Sequence, residues 1–246
     1  MFSSIGRLCT ALLDLMLPRM CVVCGRPLIL SEKHICAQCL SDMPLTRNWN
    51  FRENEMAERF NALIEESLAY PAEPYSYASA LIFYSPNEAY RNIPRNLKYN
   101  GHLAEGRFFA SMLGRALASS PLFADVDCVI PVPLHRSRRR LRGYNQAEII
   151  AREVASSLSA SLRCDILIRS RRTRTQTELN VEEKKKNVAG AFCVKYMPDA
   201  VKHILLVDDV FTTGSTLNAC RLALRQAGVG AEVRISVATL ALAGSV

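Results

Sequence analysis

One stretch near the C-terminus decides the fold, and it reads Ile204-Leu205-Leu206-Val207-Asp208-Asp209-Val210-Phe211-Thr212-Thr213-Gly214-Ser215-Thr216. Its first four residues are apolar without interruption, which predicts a buried strand that ends at Val207. A helix is predicted from Leu217 to Ala227, closed by Gly228. Two acids and a loop of small hydroxyl residues stand between the strand and the helix. Residues 201–227 are therefore predicted to form a strand, a loop and a helix in direct succession.

The loop has the chemistry of an anion site, and its members are Thr212, Thr213, Gly214, Ser215 and Thr216. Hydroxyl groups, a glycine that lets the backbone approach closely, and the free N–H groups of a helix N-terminus all favour a phosphate. Asp208 and Asp209 would repel that phosphate, so they must face another part of the ligand. Neighbouring sugar hydroxyls suit them because carboxylates are strong acceptors. A plain helix cap would explain one or two of these residues, and a phosphorylated ribose explains them all.

Strands and helices alternate over the rest of the C-terminal two thirds of the chain. Apolar runs predict strands at 80–84, 128–132, 164–168, 191–194 and 233–240. Helical spacing of apolar residues predicts helices at 103–117 and 146–158. Alternation of this kind predicts an α/β fold, a mostly parallel sheet with helices on both faces.

Two segments are strongly basic, in a chain whose net charge is +8. The first follows the predicted strand at 128–132 as a loop with five arginines: Arg136, Arg138, Arg139, Arg140 and Arg142. The second runs from Arg169 to Leu179, includes Arg172 and Arg174, and is followed by Lys184-Lys185-Lys186. Arginine forks bind phosphate oxygens, so pyrophosphate or a nucleic-acid backbone would suit the first segment. Solvated basic loops are the alternative for both, and the second segment is also a candidate lid.

Four of the nine cysteines form two Cys-x-x-Cys pairs, Cys21 with Cys24 and Cys36 with Cys39. Two such pairs supply four thiolates for one tetrahedral zinc ion. Four thiolates leave no open position on the metal, so this zinc is predicted to be structural. Disulfides are the alternative, but an odd cysteine count with scattered apolar placement favours a reducing compartment.

The remaining N-terminal sequence predicts a helix and a linker. Apolar residues at helical spacing within 2–20, interrupted by Asp14, favour a short packed helix over a signal peptide. No apolar run reaches the ~18 residues that a membrane span needs, and a cytoplasmic protein is expected. Another helix, flanked by acids, is predicted within 48–74. We therefore expect an N-terminal helix and zinc ribbon at 1–47, a linker with an acidic helix at 48–75, and the α/β domain at 76–246.

The stretch from Ile204 to Thr216 resembles the phosphoribosyl pyrophosphate motif of type I phosphoribosyltransferases nearly residue for residue. The resemblance implies that Asp208 and Asp209 hold the ribose 2′ and 3′ hydroxyls, as the candidate catalytic residues. It implies that Thr212 to Thr216 cradle the 5′-phosphate and that Mg²⁺ accompanies the pyrophosphate.

The whole chain is also similar to the ComF family, the competence-associated proteins that include GntX-type members. The matching pieces, in the family's order, are the paired Cys-x-x-Cys, Leu97-Lys98-Tyr99-x-Gly101, Pro131-Val132-Pro133-Leu134, Arg142-Gly143-Tyr144-Asn145-Gln146, Thr175-Gln176, Asn187-Val188-x-Gly190-Ala191-Phe192 and the Asp208-Asp209 loop. The resemblance implies a phosphoribosyltransferase-like domain with an N-terminal zinc ribbon. Candidate contacts to pyrophosphate or nucleic acid are Lys98, Arg138, Arg139, Arg140, Arg142, Arg172 and Arg174.

The chain departs from the family pattern in two places. Many relatives carry further Cys-x-x-Cys pairs after the first ones, where this chain has the acidic helix. An arginine is expected before Asn187, where this chain has Lys184-Lys185-Lys186, so positive charge is kept but two-pronged geometry is lost.

Three hypotheses of function follow. The first is a phosphoribosyltransferase with phosphoribosyl pyrophosphate as donor, whose acceptor the sequence does not reveal. The second is a non-catalytic module that binds single-stranded DNA and acts with the competence machinery in the uptake or use of DNA. The third is a sensor that binds phosphoribosyl pyrophosphate without turnover.

Overall fold

The computed structural model describes residues 17–67, 73–85, 88–170, 190–196 and 200–244. The predicted N-terminal helix lies almost wholly outside these residues, as do Arg172, Arg174 and the lysines at 184–186. None of the helices within the described ranges is long and apolar enough to cross a membrane.

Five parallel strands form the main sheet. They are β1 (Ala78–Tyr84), β2 (Cys128–Pro131), β3 (Ser161–Leu162), β6 (His203–Phe211) and β7 (Arg234–Ala243). Their order across the sheet is β1-β7-β6-β2-β3. Two further strands, β4 (Leu167–Arg169) and β5 (Phe192–Val194), pair antiparallel as a separate hairpin. The predicted mostly parallel sheet is confirmed.

Helices cover both faces of this sheet. In chain order they are α1 (Ala37–Ser41), α2 (Glu55–Glu65), α3 (Asn92–Arg95), α4 (Leu103–Ala118), α5 (Arg136–Arg142), α6 (Gln146–Leu158) and α7 (Ser215–Gln226). Alternating residues of β6 serve the two faces. Leu205 and Val207 share a hydrophobic cluster with α4 and α6, whereas Ile204 and Leu206 share one with α2 and α7. The α/β class with helices on both faces is thus confirmed.

The N-terminal cysteine segment is built into the first of these clusters. Cys21, Cys36 and Cys39 belong to the same buried cluster as Ile82 of β1 and Phe109 of α4. Tyr90 donates its hydroxyl hydrogen to the Cys39 carbonyl (2.8 Å), which ties the segment to the sheet domain. The division at residues 47 and 75 stays a prediction. The acidic helix α2 also buries apolar side chains against the sheet.

Strand β6 is longer than predicted. It was expected to end at Val207, but it continues through both acids to Phe211. The reason is its neighbour β7, which pairs with β6 as far as Leu242 opposite Phe211. A partner on one side supplies the hydrogen bonds that an extended backbone needs. Asp208 and Asp209 therefore stand on a strand and not in a loop.

The first basic segment is the helix α5, where a loop was predicted. The ring of His135 accepts a hydrogen bond from the Ser137 N–H (3.2 Å) and caps the helix. Gly143, with a φ of 79°, ends it. Arginine is a good helix former, and the sequence pattern missed the helix because it has no apolar stripe.

The strands predicted at 164–168 and 191–194 are shorter and lie outside the main sheet. Both belong to the β4–β5 hairpin, in which Ile168 lies opposite Cys193. This hairpin stands next to the end of β2 and forms one wall of a cavity described below. The second basic run follows directly from β4 in the sequence.

Candidate functional site

The two acids project beyond the end of a neighbouring strand. On one side of β6, strand β2 ends with Pro131 opposite Val207. From Asp208 onward only β7 accompanies β6, with Thr239 opposite Asp208. Ligands of open parallel sheets bind at such edges, outside the carboxyl ends of the strands. The early end of β2 therefore leaves room for a ligand beside both carboxylates.

Lys98 completes this carboxylate site from a distant part of the chain. Its ammonium nitrogen lies 3.4 Å from a carboxylate oxygen of Asp209, which is buried. The turn that carries Lys98 is held by the hydroxyl of Tyr144, which donates to the Leu97 carbonyl (2.7 Å). Gln146 donates to the carbonyl of Lys98 itself (3.5 Å). The start of α6 thus positions the lysine.

The surroundings of the carboxylate site disfavour the charged form of Asp208. Burial and the charge of Asp209 raise the pKa of Asp208 to about 7. The charge of Asp209 also raises the pKa of Lys98 above its usual value. Burial and the charge of Asp209 outweigh the charges of Lys98 and Arg169, so ionisation of Asp208 is disfavoured. A ligand that brings hydrogen-bond donors or cations would relieve this strain.

The loop after β6 has the geometry of an anion cradle. Gly214 has a φ of 74° and is the residue before α7. A Cβ atom there would approach Phe211 Cζ to 2.8 Å and Leu63 Cδ1 to 3.0 Å, so only glycine fits without a shift. The hydroxyls of Thr213 and Ser215 lie 2.8 Å apart. The loop and the 12-residue helix α7 thus present hydroxyls and backbone N–H groups at one point.

The arginines of α5 point in different directions. Arg142 lies over the exposed ring of Tyr99 (5.3 Å), and its charge acts on Lys98. Burial, followed by the charge of Arg138, lowers the pKa of Arg169. Arg139 instead pairs with Glu148 of α6 (3.2 Å). Arg140 is exposed. The structure therefore pairs Lys98 with Asp209 and places Arg142 near Lys98, whereas Arg139 lines the cavity.

Two arginines at the site were not among the predicted residues. Arg169 of β4 is close enough to Asp208 for the two charges to stabilise each other. Arg59 of α2 donates to the carbonyl oxygens of Thr212 and Ala243, the latter at 3.1 Å, and so holds the loop. Arg169 opens the second basic run, which was a signal. The sequence gives no such signal for Arg59, because its helix is predicted to be part of a linker.

The four paired cysteines form a compact metal site. Their sulfur atoms all lie within 4.8 Å of one another, and Cys24 Sγ is 3.8 Å from Cys36 Sγ. A tetrahedral zinc ion with Zn–S bonds of about 2.3 Å separates its sulfur ligands by about 3.8 Å. The four residues therefore fit a zinc ion, and they fill all of its positions.

Backbone hydrogen bonds prepare these thiols for a metal. The Cys39 N–H donates to Cys36 Sγ (3.3 Å), which lowers the pKa of the Cys36 thiol to about 6. The Cys36 N–H donates to Cys21 Sγ (3.4 Å). Glu32 fixes the intervening loop by accepting from the N–H groups of Ile29 and Ala37. Such bonds orient the ligands, and the bond to Cys36 favours its thiolate form, whereas burial raises the pKa of the Cys39 thiol.

Comparisons with known proteins agree with both parts of the chain. Residues 12–49 match the model of the double zinc ribbon domain. The chain is 36% identical over 105 residues to competence protein F of Haemophilus influenzae, which is 42% of this chain and 46% of that protein. It is 32% identical over 108 residues to DNA utilization protein YhgH of Escherichia coli, covering 44% and 47%. It is 28% identical over 142 residues to competence protein ComFC of Streptococcus pneumoniae, covering 58% and 60%.

The fold and the sites define a class: an α/β protein with a parallel sheet, a carboxylate pair above a hydroxyl loop, and a four-cysteine zinc ribbon. The chain spans about half the length of the curated relatives it matches. Within that class, the chain is similar to competence and DNA utilization proteins, and its N-terminal residues match the double zinc ribbon domain. The matched ribbon residues carry only four cysteines, so one zinc ion is all that they can hold in this way.

Proposed function

We propose that this protein binds phosphoribosyl pyrophosphate at the loop after β6 and takes part in the uptake or use of DNA. The main support for the proposal is that three features lie together at one edge of the sheet. Asp208 and Asp209 project past β2, a hydroxyl loop opens into α7, and Lys98 meets Asp209 at 3.4 Å. The names of the relatives support the link to DNA.

The carboxylates would hold the ribose. Each sugar hydroxyl donates to a carboxylate oxygen, and this contact replaces water lost on binding. Because the pKa of Asp208 is raised to about 7, its acceptor strength grows as the pH rises through neutrality. Binding is therefore expected to be tighter at pH 8 than at pH 6.

The 5′-phosphate and the pyrophosphate would occupy different parts of the site. The N–H groups at the start of α7 and the hydroxyls of Thr213 and Ser215 suit the phosphate. Lys98, which lies 3.4 Å from Asp209, and Arg142, whose charge acts on Lys98, would offset the pyrophosphate charge. Mg²⁺ bound with the pyrophosphate would supply further positive charge, and carboxylate oxygens are ligands that it accepts.

As an enzyme, the protein would transfer the phosphoribosyl group to an acceptor and release pyrophosphate. Cations placed where negative charge builds up on the leaving group lower the barrier. Lys98 and Arg142 are the described residues in that position. Pyrophosphate release measured across a panel of bases and amines separates an enzyme from a sensor.

Calorimetric titration with phosphoribosyl pyrophosphate and Mg²⁺ tests the binding proposal. We expect a dissociation constant on the order of micromolar, about −8 kcal/mol. The heat should vanish in the variant with Asp208→Asn and Asp209→Asn and persist in Asp42→Asn, an exposed acid of the ribbon segment. Absence of heat with the unchanged protein would refute the proposal.

Direct binding of single-stranded DNA is a second candidate function. The arginine helix α5 and the names of the relatives favour it. Its affinity should fall steeply with salt, because each phosphate contact releases counterions. A variant with Arg138→Ala, Arg139→Ala and Arg140→Ala should lower both the affinity and the salt dependence. Binding that ignores salt would exclude this function.

A further inference from the structure

A cavity lies at the end of β2. Its volume is about 470 Å³. Pro131, Pro133 and Leu134, at the exit of β2, line one side, and Leu167 and Ile168 of β4 line the other. Neither of the two acids nor any residue of the hydroxyl loop is among its lining residues. The cavity is thus distinct from the proposed ribose site.

The rim of this cavity is cationic. Arg136, Arg139, Arg169 and Lys195 line it. Two carboxylates also line it, so four cations stand against two acids, and one of the cations, Arg139, is already paired. Glu148 pairs with Arg139 (3.2 Å) and Arg152 (3.8 Å), and Asp165 pairs with Arg163 (3.3 Å). Positive charge therefore predominates at the rim.

Arg169 strengthens this excess of positive charge. Burial, followed by the charge of Arg138, lowers the pKa of its guanidinium. The charge of Asp208 offsets part of the cost of holding these cations together, and an anion in the cavity would offset more of it. The guanidinium also lies over the ring of Phe192 at 5.2 Å, so its position is fixed by packing.

The walls are held in place by hydrogen bonds. Asn145, which is buried, donates to the Val132 carbonyl (3.0 Å) and accepts from the Ala147 N–H (3.2 Å). It thereby joins the exit of β2 to the start of α6. On the other side, the Lys195 N–H donates to the Ile166 carbonyl (2.9 Å) across the hairpin. The cavity is thus formed before any ligand arrives.

We infer that this cavity binds one nucleotide unit, with the base between the proline–leucine side and β4 and the phosphate at the arginine rim. Ligand sites of about 300–1,000 Å³ with apolar walls and a few polar groups are typical for molecules of this size. A free phosphate would not need five apolar residues, and a purely apolar ligand would not need four cations. The inference goes beyond phosphoribosyl pyrophosphate binding and does not depend on it.

The nucleotide unit has two sources, a free mononucleotide or one residue of a single strand. Calorimetry with deoxythymidine monophosphate tests the first, and fluorescence anisotropy with a labelled short oligothymidylate tests the second. Ile168→Trp fills the cavity, and Arg136→Ala removes an exposed rim cation without touching its walls. Arg115→Ala on α4 is the control, since it removes the same charge elsewhere.

We expect at least one ligand to bind the unchanged protein and to bind roughly tenfold more weakly in both cavity variants, the usual loss when a charged contact is removed. Binding of the mononucleotide identifies the free nucleotide as the source, and binding of the oligonucleotide alone identifies the strand. Affinities for both ligands that stay unchanged in folded Ile168→Trp and in Arg136→Ala would overturn the inference, as would no binding of either.

The variant with Asp208→Asn and Asp209→Asn separates the two proposals. It should lose phosphoribosyl pyrophosphate and keep the nucleotide, because its changes lie outside the cavity. Thermal unfolding of every variant, followed by circular dichroism, establishes that each is folded. If Ile168→Trp is not folded, Arg136→Ala against Arg115→Ala decides the result.

Discussion

The cysteine cluster and the carboxylate site both gather acidic groups within a few ångströms, yet they differ in how the charge is handled. In the ribbon, backbone N–H groups already donate to the sulfurs of Cys21 and Cys36, and four ligands complete a metal site. At the sheet edge, Lys98 pairs with Asp209, but burial and the charge of Asp209 still raise the pKa of Asp208 to about 7. In the ribbon, four thiolates fill every position of a zinc ion. At the sheet edge, the charged form of Asp208 is disfavoured, and a bound ligand could stabilise it. Structural and ligand sites can be told apart by this difference.

The largest effect is expected from Cys36→Ser, which removes one of the four ligands of the cysteine cluster and tests whether that cluster is a metal site. Zinc content should fall from about one per chain to nearly none, because structural zinc supplies roughly 10 kcal/mol or more to such ribbons. The ribbon shares a hydrophobic cluster with α4 and β1, so the whole protein should melt roughly 10 °C lower.

Metal analysis and a thermal melt measure this outcome. Cys193→Ser changes an exposed cysteine outside the cluster and should alter neither quantity. An unchanged zinc content in Cys36→Ser would show that the cluster is not the metal site.

A smaller effect, an increase in stability, is expected from Asp208→Asn, which removes one of the two neighbouring carboxylates. A carboxyl whose pKa is raised by folding destabilises the folded state as the pH climbs from its unfolded pKa, about 3.9, towards about 7. The variant should therefore be more stable than the unchanged protein at pH 8, by roughly 1–3 kcal/mol.

The gain should shrink at pH 5, where Asp208 is largely protonated in the folded protein. Urea unfolding at both pH values measures it, with Asp42→Asn as the matched control. A variant that is less stable at pH 8 would mean that Asp208 is well accommodated and that the site is not under electrostatic strain.

The smallest effect concerns the attachment of the ribbon. Tyr90→Phe removes the hydrogen bond to the Cys39 carbonyl and should cost about 1 kcal/mol, or about 3 °C in melting temperature. Zinc content should not change, since the thiols are untouched. Tyr99→Phe, at an exposed ring, is the control and should leave the melting temperature as it was.

The sequence sufficed for features that are local. The cysteine spacing predicted the metal site, and apolar periodicity placed α4 and α6 within a residue or two of their bounds. The β6–loop–α7 order was also predicted correctly. In each case, a short stretch carries the whole signal, either as ligand spacing or as a face that must be buried.

The rest depends on partners far apart in the chain. Lys98 meets Asp209 across 111 positions of sequence, and no local pattern encodes that contact. The true end of β6 is set by β7, and the helix α5 lacks an apolar stripe because arginines fill it. The nucleotide cavity is made of β2, α5 and β4, which only the fold brings together.

The unequal lengths of β2 and β6 have a mechanical consequence. Beyond Val207, β6 is paired along one edge with β7, whereas its pairing with β2 has ended. The position of this part of β6 is therefore held by β7. In β7, Thr239 is buried and its hydroxyl donates to the Ala241 carbonyl (2.9 Å). The precision with which the two carboxylates are aimed is thus a property of β7, a strand that contributes no acid of its own.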